Sequence, residues 1–169
     1  DKEAQNTRIE LEFKKGKLPK ELRGTDAAYV QAGMLDLICD MLNNRFQELS
    51  VDPNATFVGA GSFYGETVKE KDAFTAVYIA KQGQETQAYK DLLTQLEKMR
   101  RYGFTYAELD RVKKETLAAY EKSYNERNTV RNIAHAQEYI RHYLDGSPIP
   151  GIKWEYEMIQ QILPAINVD

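Results

Sequence analysis

The stretch ATFVGAGSFYGETVKEKDAFTAVYIAK, residues 55–81, decides the fold. Its two ends, residues 55–65 and 73–81, are rich in β-branched and aromatic residues, which favour strands. The charged residues ETVKEKD lie between them, so we predict two adjacent antiparallel strands joined by a charged connection. The glycines at 59, 61 and 65 do not indicate a nucleotide loop, because no helix with the required glycines and lysine follows them. We interpret them as sites of bulges or of close backbone approach.

The regions on either side of this hairpin predict one more strand and five helices. Residues 7–13 alternate Ile9, Leu11 and Phe13 with charged side chains, as in a strand with one buried face. Residues 25–49 predict a long amphipathic helix, because apolar residues recur at steps of three and four. Its predicted face consists of Ala28, Ala32, Leu35, Cys39, Leu42, Phe46 and Leu49.

Four helices are predicted in the second half of the chain. The first spans residues 84–102 with Leu92, Leu96 and Met99 on one face, and Gly103 is expected in a left-handed conformation at its end. Thr105 and Glu108 have the spacing of a capping box that opens the next helix, to about residue 126. The third of these helices carries Ile133, Ile140 and Leu144 and stops near Gly146. The fourth carries Trp154, Met158 and Ile162 and ends before Pro164. We therefore predict an α+β fold: a small antiparallel or mixed sheet with several helices packed on one face.

Composition restricts the class of protein. The 169 residues are enough for one substantial core, so we predict a single domain over residues 1–169. The 23 basic and 26 acidic residues are well mixed, which gives no electrostatic footprint for nucleic acid or an anionic membrane, and no apolar run suggests insertion into one. Cys39 is the only cysteine and is expected to be a small core residue. The chain opens on DKEAQNTR without a methionine, so we expect a piece of a longer protein.

The motif HAQEY at residues 135–139 is one letter short of H-x-x-E-H, the zinc-binding motif of a class of metallopeptidases. Tyr139 replaces the second histidine, and His142 lies seven residues after His135, roughly 10.5 Å away along a helix. A single ion could be shared only by strained side chains. We therefore predict no metal site here, and we expect His135, Tyr139, His142 and Tyr143 to be partly buried side chains on a packed helix. An autonomous hydrolase using His135 and Glu138 is disfavoured.

Three stretches carry a family resemblance that covers residues 7–166. RRYGFTYAELDRVKKETLAAYEKSYNER, residues 100–127, resembles the signature R-x-G-F-T-x-x-E-L-x-R-x-K of non-catalytic domains in pitrilysin/insulinase-type zinc metallopeptidases. HYLDGSPIPGIKWEYEMIQQILPAI, residues 142–166, resembles the stretch that closes the second domain of large bacterial members. MLNNRFQEL, residues 41–49, resembles a helix of the same domain.

The resemblance implies a role within a longer enzyme. In this family the zinc motif belongs to the first domain, and homologous domains of the same fold follow and help to wall the substrate chamber. This chain would then hold no zinc and catalyse nothing alone, whereas its parent would be a zinc-dependent metalloendopeptidase that binds peptide. Its partners would be the other domains of the same polypeptide, and the family suggests the periplasm, although these residues do not specify a compartment. The alternative is a structural or interaction module that uses the same fold without protease activity.

Arg45 is the candidate chamber residue that the resemblance suggests. In a related domain of these peptidases an arginine, and a tyrosine seven residues later, reach into the active site. Here Asp52, not tyrosine, stands seven residues after Arg45. This departure favours a second domain of the first half of the enzyme, and it favours a structural role for Arg45 at the end of a helix.

Overall fold

The computed structural model describes residues 6–68 and 70–168. Within these residues the chain forms three strands, β1 Thr7–Gly16, β2 Phe57–Val68 and β3 Lys71–Ala80. It also forms five α-helices, α1 Asp26–Ser50, α2 Glu85–Tyr102, α3 Tyr106–Asn125, α4 Asn132–Asp145 and α5 Ile152–Ile162. The α+β fold class and the order of these elements confirm the prediction.

The predicted hairpin is present, and its strands are longer than the residue pattern indicated. β2 and β3 pair antiparallel and continue into the charged connection, where Glu66 lies opposite Asp72. Charged side chains can occupy strand ends when they remain in water, so polarity alone did not mark the end of pairing. The register shifts between Phe57 and Gly59, which confirms a bulge beside the first glycine. Lys69, in the connection, lies outside the described residues.

The sheet is antiparallel throughout, with the order β1-β3-β2. β3 is central and places Ala76, Tyr78 and Ala80 on the face that meets the helices, where all three are fully buried. The ring of Tyr78 lies between two aromatic neighbours, at 5.2 Å from Phe46 and 4.2 Å from Phe57. The remaining buried members of this core are Leu42 of α1 and Ala88, Leu92 and Leu96 of α2.

The predicted apolar face of α1 is confirmed in its second half only. Leu42 and Phe46 are buried in the core and Leu49 packs against it. Ala32, by contrast, is exposed, and Leu37 and Met41 are buried although they lie outside the predicted stripe. A single stripe assumes one continuous surface along the helix, whereas the division of the chain into two compact units falls inside α1, after Met34.

The first unit comprises Asp1–Lys17 and Leu35–Thr105 and contains the sheet, the second half of α1, and α2. Its last helix ends at Gly103 as predicted, and Gly103 donates its N–H to the carbonyl oxygen of Met99. The φ of Gly103 is positive, at 61°, but its ψ of −143° lies outside the left-handed helical conformation that was predicted. The prediction of one domain over residues 1–169 stays a prediction.

The second unit comprises Leu18–Met34 and Tyr106–Asp169. Helices α3 and α5 pack together here, with Val112 and Ile159 buried. Aromatic pairs supplement this packing: Tyr124 stacks on Tyr156 at 5.2 Å, and Tyr29 meets Trp154 edge-on at 4.9 Å. Such pairs are each worth about 0.5–1.5 kcal/mol beyond the area they bury.

Candidate functional site

Arg45 is held by the loop that joins α2 to α3. Its Nη2 donates to the carbonyl oxygen of Gly103 at 2.9 Å, and its guanidinium carbon lies 4.5 Å from the centre of the Phe104 ring. Both partners belong to the G-F-T element on which the family resemblance rests. A planar guanidinium can donate and stack in this way at once, whereas lysine cannot. These contacts give Arg45 a structural function in the first unit; its place in a substrate chamber stays a prediction.

The lysine of the same signature joins two other parts of the resemblance. Lys113 of α3 donates its Nζ to the carbonyl oxygen of Ile166, at the end of the stretch ILPAI. Leu163, within that stretch, is buried. The signature residues Gly103, Phe104 and Lys113 therefore make contacts that hold connecting segments in place.

The motif HAQEY lies on helix α4, and zinc-binding motifs of this kind also lie on a helix. His135 Nδ1 lies 3.8 Å from the carboxylate of Glu138, and both side chains are partly exposed. His142 is seven residues further along the same helix, and its Nδ1 lies 2.7 Å from the carbonyl oxygen of Ser147. No three His, Cys, Asp or Glu side chains in residues 6–68 and 70–168 are placed to share a metal ion. The prediction that this chain binds no zinc is left to experiment.

The expectation that α4 is a packed helix is wrong. Tyr139 and Tyr143 are 62% and 87% exposed, and none of the described side chains of α4 is buried. The least exposed of its described side chains is a charged one: Glu138 is half-buried, and its charge contributes to the raised pKa of Glu155 on α5. The residue pattern had located the helix correctly but could not show which side meets the rest of its unit.

The two edges of the sheet differ in a way that matters for binding. At the β2 edge, Asn43 of α1 contacts the backbone of Ser62 twice. Its Oδ1 accepts from the Ser62 N–H at 2.6 Å, and its Nδ2 donates to the Ser62 carbonyl at 3.0 Å. A carboxamide that pairs with both backbone groups satisfies them as a neighbouring strand would. The β1 edge has no strand beside it in the described part of the chain.

Side chains on β1 are charged on the face away from the helices. Arg8 and Glu10 form an ion pair at 2.8 Å, and Lys14 and Glu12 form another at 3.0 Å. Exposed ion pairs contribute little stability, but charges along an edge strand oppose uncontrolled pairing between molecules. Among the described residues, the β1 edge thus has no strand paired to it, and charged side chains lie along it.

Cys39 is buried in α1, as predicted, and accepts a hydrogen bond at its carbonyl oxygen from the Ser62 hydroxyl at 3.2 Å. Burial, and then the charge of Asp36, raise the pKa of the Cys39 thiol to about 11. A thiol of this kind is a poor nucleophile at neutral pH because the thiolate is the reactive form. Sequence reasoning missed Asn43 and Ser62, which no residue pattern distinguishes from other polar surface residues.

The second unit also contains a cleft that sequence reasoning missed. It has a volume of about 300 Å³ and is lined by the start of α1 with Tyr29, by Pro148 and Pro150 of the loop between α4 and α5, and by Trp154 of α5. Its size is at the lower end of small-ligand sites. Asp26 is the only charged side chain among the residues that line it.

Comparison with known proteins gives a consistent result. The first half of the periplasmic protease PqqL from Escherichia coli superposes with a TM-score of 0.87 and 17% identity, over 99% of this chain and 36% of that one. A predicted insulinase family protease from Yersinia pestis gives 0.83 and 13%, over 98% and 35%. A zinc protease PQQL-like protein from Arabidopsis thaliana is 31% identical over 70 residues, 41% of this chain.

No family model matches the chain. The chain spans 7% of the length of the curated relative, and between about a fifth and about a third of the solved proteases. Among the described helices, none is both long enough and apolar enough to cross a membrane. The resemblance inferred from the three sequence stretches is confirmed, and the chain has the fold of one domain of the pitrilysin/insulinase-type zinc proteases.

Proposed function

We propose that this chain is a non-catalytic domain of a zinc metalloendopeptidase and walls the substrate chamber beside the catalytic domain. The observation that carries the proposal is the match of 99% of this chain to about a third of a solved half-protease. Zinc would be bound by the catalytic domain of the parent, and this chain would contribute surface and no reacting group. The periplasmic relative supports a periplasmic parent.

The β1 edge supplies the contact that a chamber wall needs. Unpaired backbone N–H and C=O groups along a strand can bind an extended peptide of any sequence by adding it to the sheet. β1 runs from Thr7 to Gly16, and its opposite edge is occupied by β3 along that whole length. A peptide would therefore pair along as many as ten residues, and the energy of binding would increase with peptide length.

The β2 edge is less suited to this purpose because Asn43 already pairs with Ser62 near the middle of the strand. The register shifts after Phe57 and after Glu66 also interrupt its hydrogen-bonding pattern. A continuous run of pairing with a peptide is thus possible on β1 and not on β2.

The experiment measures steady-state cleavage of one long and one short peptide by the full-length parent. Proline is introduced singly at the neighbouring positions Glu12 and Phe13. Backbone amides of successive residues point to opposite sides of a strand, so one proline removes a bond to β3 and the other removes a donor from the open edge. We expect the variant that keeps its stability to lose more kcat/KM for the long peptide than for the short one.

The variant Arg45→Ala tests whether Arg45 has a structural function and no catalytic one. Loss of the bond to Gly103 and of the contact with Phe104 should lower stability while kcat for both peptides stays within about twofold, a change of about 0.4 kcal/mol or less. A large fall in kcat for both peptides at unchanged stability would place this domain in the other half of the enzyme and contradict the proposal.

Zinc is tested on the 169-residue chain. Elemental analysis after dialysis should find no stoichiometric zinc, and the chain alone should not cleave either peptide. Zinc bound at one equivalent and lost on His135→Ala would contradict the proposal. A parent without any zinc-dependent cleavage would instead favour the alternative, a structural or interaction module with this fold.

A further inference from the structure

Helix α4 is amphipathic, and its apolar side faces away from its own unit. Residues on this side share one helical stripe with a spacing of three, four and seven. They are Ile133, Ile140, Tyr143 and Leu144, with Tyr139 at the margin, and each is between 56% and 87% exposed. Glu138 and His142 lie on the other side of the helix, where Glu138 is half-buried and His142 contacts the carbonyl oxygen of Ser147.

A helix in this situation needs a partner to be stable. α4 has 14 residues, and isolated helices shorter than about 12–15 residues are marginal in water. Most helices in proteins are stabilised by burying an apolar side, and none of the described side chains of α4 is buried. The five exposed apolar side chains lie along one side of this single helix, and contiguous exposed apolar patches on a protein surface mark interaction sites.

We propose that the apolar side of α4 is the surface on which another domain of the same polypeptide packs. This inference rests on the proposed function, in which the chain is one domain of a longer protein. A stable complex between separate molecules buries roughly 800 Å² on each partner, more than one side of a four-turn helix provides. A covalently tethered domain needs less area, because tethering raises its effective concentration to about the millimolar range.

The solved proteases support this choice of partner over a second copy of the chain. Almost the whole of this chain matches each of them, and about two thirds of the half-protease lies outside the match. Further polypeptide is therefore attached to this fold in those proteins, where it is available to cover an exposed helix side.

The test uses thiol labelling, for which this chain is well suited. Cys39 is its only cysteine and is buried with a raised pKa, so it contributes little background. We compare Ile140→Cys on the apolar side with Ala134→Cys, which is exposed on the other side of the same helix. Each is made in the 169-residue chain and in the full-length parent, and labelling at the new position is followed by peptide mass mapping.

In the 169-residue chain both new cysteines should react at rates within about threefold of each other. In the parent, labelling at 140 should be slower than labelling at 134 by at least tenfold, a difference of about 1.4 kcal/mol. Equal rates in the parent would overturn the proposal. Two other results would also overturn it. Labelling at position 140 of the 169-residue chain that slows as the protein concentration rises would indicate that a second copy covers the helix. Labelling at position 140 of the parent that slows only after peptide is added would indicate that substrate covers it.

Amide hydrogen exchange provides a second measurement that needs no substitution. The amides of residues 136–144 should exchange at least a hundredfold more slowly in the parent than in the 169-residue chain. Unprotected amides in both would overturn the proposal. The experiment distinguishes failure of this proposal from failure of the proposed function. A parent that cleaves no peptide can still protect α4, and an active parent can leave α4 exposed.

Discussion

Helices α1 and α4 are both amphipathic, yet they relate to the protein in opposite ways. α1 places Leu42 and Phe46 in the core against the sheet, whereas α4 exposes its apolar side and turns Glu138 inward. The two sequence patterns look equally regular. A periodic apolar stripe therefore predicts a helix whose apolar side packs against another surface. It does not predict whether that surface belongs to the same domain.

The largest difference in stability between variants should appear when one apolar side chain on each helix is replaced by alanine. Phe46→Ala should lower the free energy of unfolding of the 169-residue chain by about 3–5 kcal/mol, because the ring is 1% exposed and packs edge-on against Tyr78. Ile140→Ala, on the exposed stripe, should change it by less than about 0.5 kcal/mol. Denaturant titration followed by far-ultraviolet circular dichroism measures both, and similar losses for the two variants would remove the distinction between the helices.

The next effect concerns the side chain that joins α1 to the β2 edge. Asn43→Ala should cost about 1–3 kcal/mol, because it leaves the backbone N–H and C=O of Ser62 without their partner. Asn43→Asp is the matched control. It keeps an acceptor for the N–H but places a charged oxygen against the Ser62 carbonyl, one turn after Asp40, so it should cost at least as much as the alanine variant. An alanine variant as stable as the natural chain would mean that water replaces the carboxamide without loss.

Substitution of the glycines that follow two of the helices should have a smaller effect on stability. Gly103 after α2 and Gly146 after α4 have φ values of 61° and 69°, and a Cβ would meet no atom at either position. Alanine at each is therefore strained by backbone conformation alone. The cost should be about 1–2 kcal/mol at Gly146, which is left-handed, and at least as large at Gly103, whose ψ of −143° lies close to a region that almost only glycine adopts. For Gly103→Ala this cost should appear in the unfolding free energy of the whole first unit.

Gly146→Ala should instead leave global unfolding unchanged and reduce helicity only in α4, because this helix can fray without exposing buried side chains. Hydrogen exchange along α4 checks the local effect, and denaturant titration checks the global one. A global loss from Gly146→Ala equal to that from Gly103→Ala would show that α4 is part of the cooperative core.

The smallest effect is a dependence of stability on pH that involves α4 and α5. Burial, and then the like charge of Glu138, raise the pKa of the Glu155 carboxyl above its ordinary value. The native state therefore holds this proton more tightly than the unfolded chain does. Stability then falls as pH rises from the unfolded pKa to the folded one, and the loss is complete above the folded pKa.

Glu155→Gln should consequently raise the unfolding free energy at pH 7 and leave it unchanged at pH values below about 4.3, the ordinary value for glutamate. Glu157→Gln, on the exposed side of α5, is the control and should have no such effect. Equal stability of the Glu155→Gln variant and the natural chain at pH 7 would mean that Glu155 is better hydrated than its half-buried position indicates.

Local physical chemistry explains why much of the fold could be predicted. The alternation of Ile9 and Leu11 with charged side chains follows from the period of two of a strand, although Phe13, the third member of the predicted buried face, is 57% exposed. Helix α3 starts directly after Thr105, where the capping-box spacing predicted it. The need for positive φ at a helix end selects glycine at position 103. Each of these features depends on residues within one turn or one strand, so the order of the chain is enough to reveal it.

The sequence by itself therefore determined the elements, their order, the α+β class and the resemblance to a protease domain. Only the tertiary structure decided that Arg45 is engaged by Gly103 and Phe104, that Asn43 covers the β2 edge, and that α4 faces outward. The physical reason is distance along the chain. Arg45 and Gly103 are 58 residues apart, and which side chains meet across such a separation depends on how whole elements pack. A helical period is the same whether its apolar side meets the sheet of its own chain or remains for another domain.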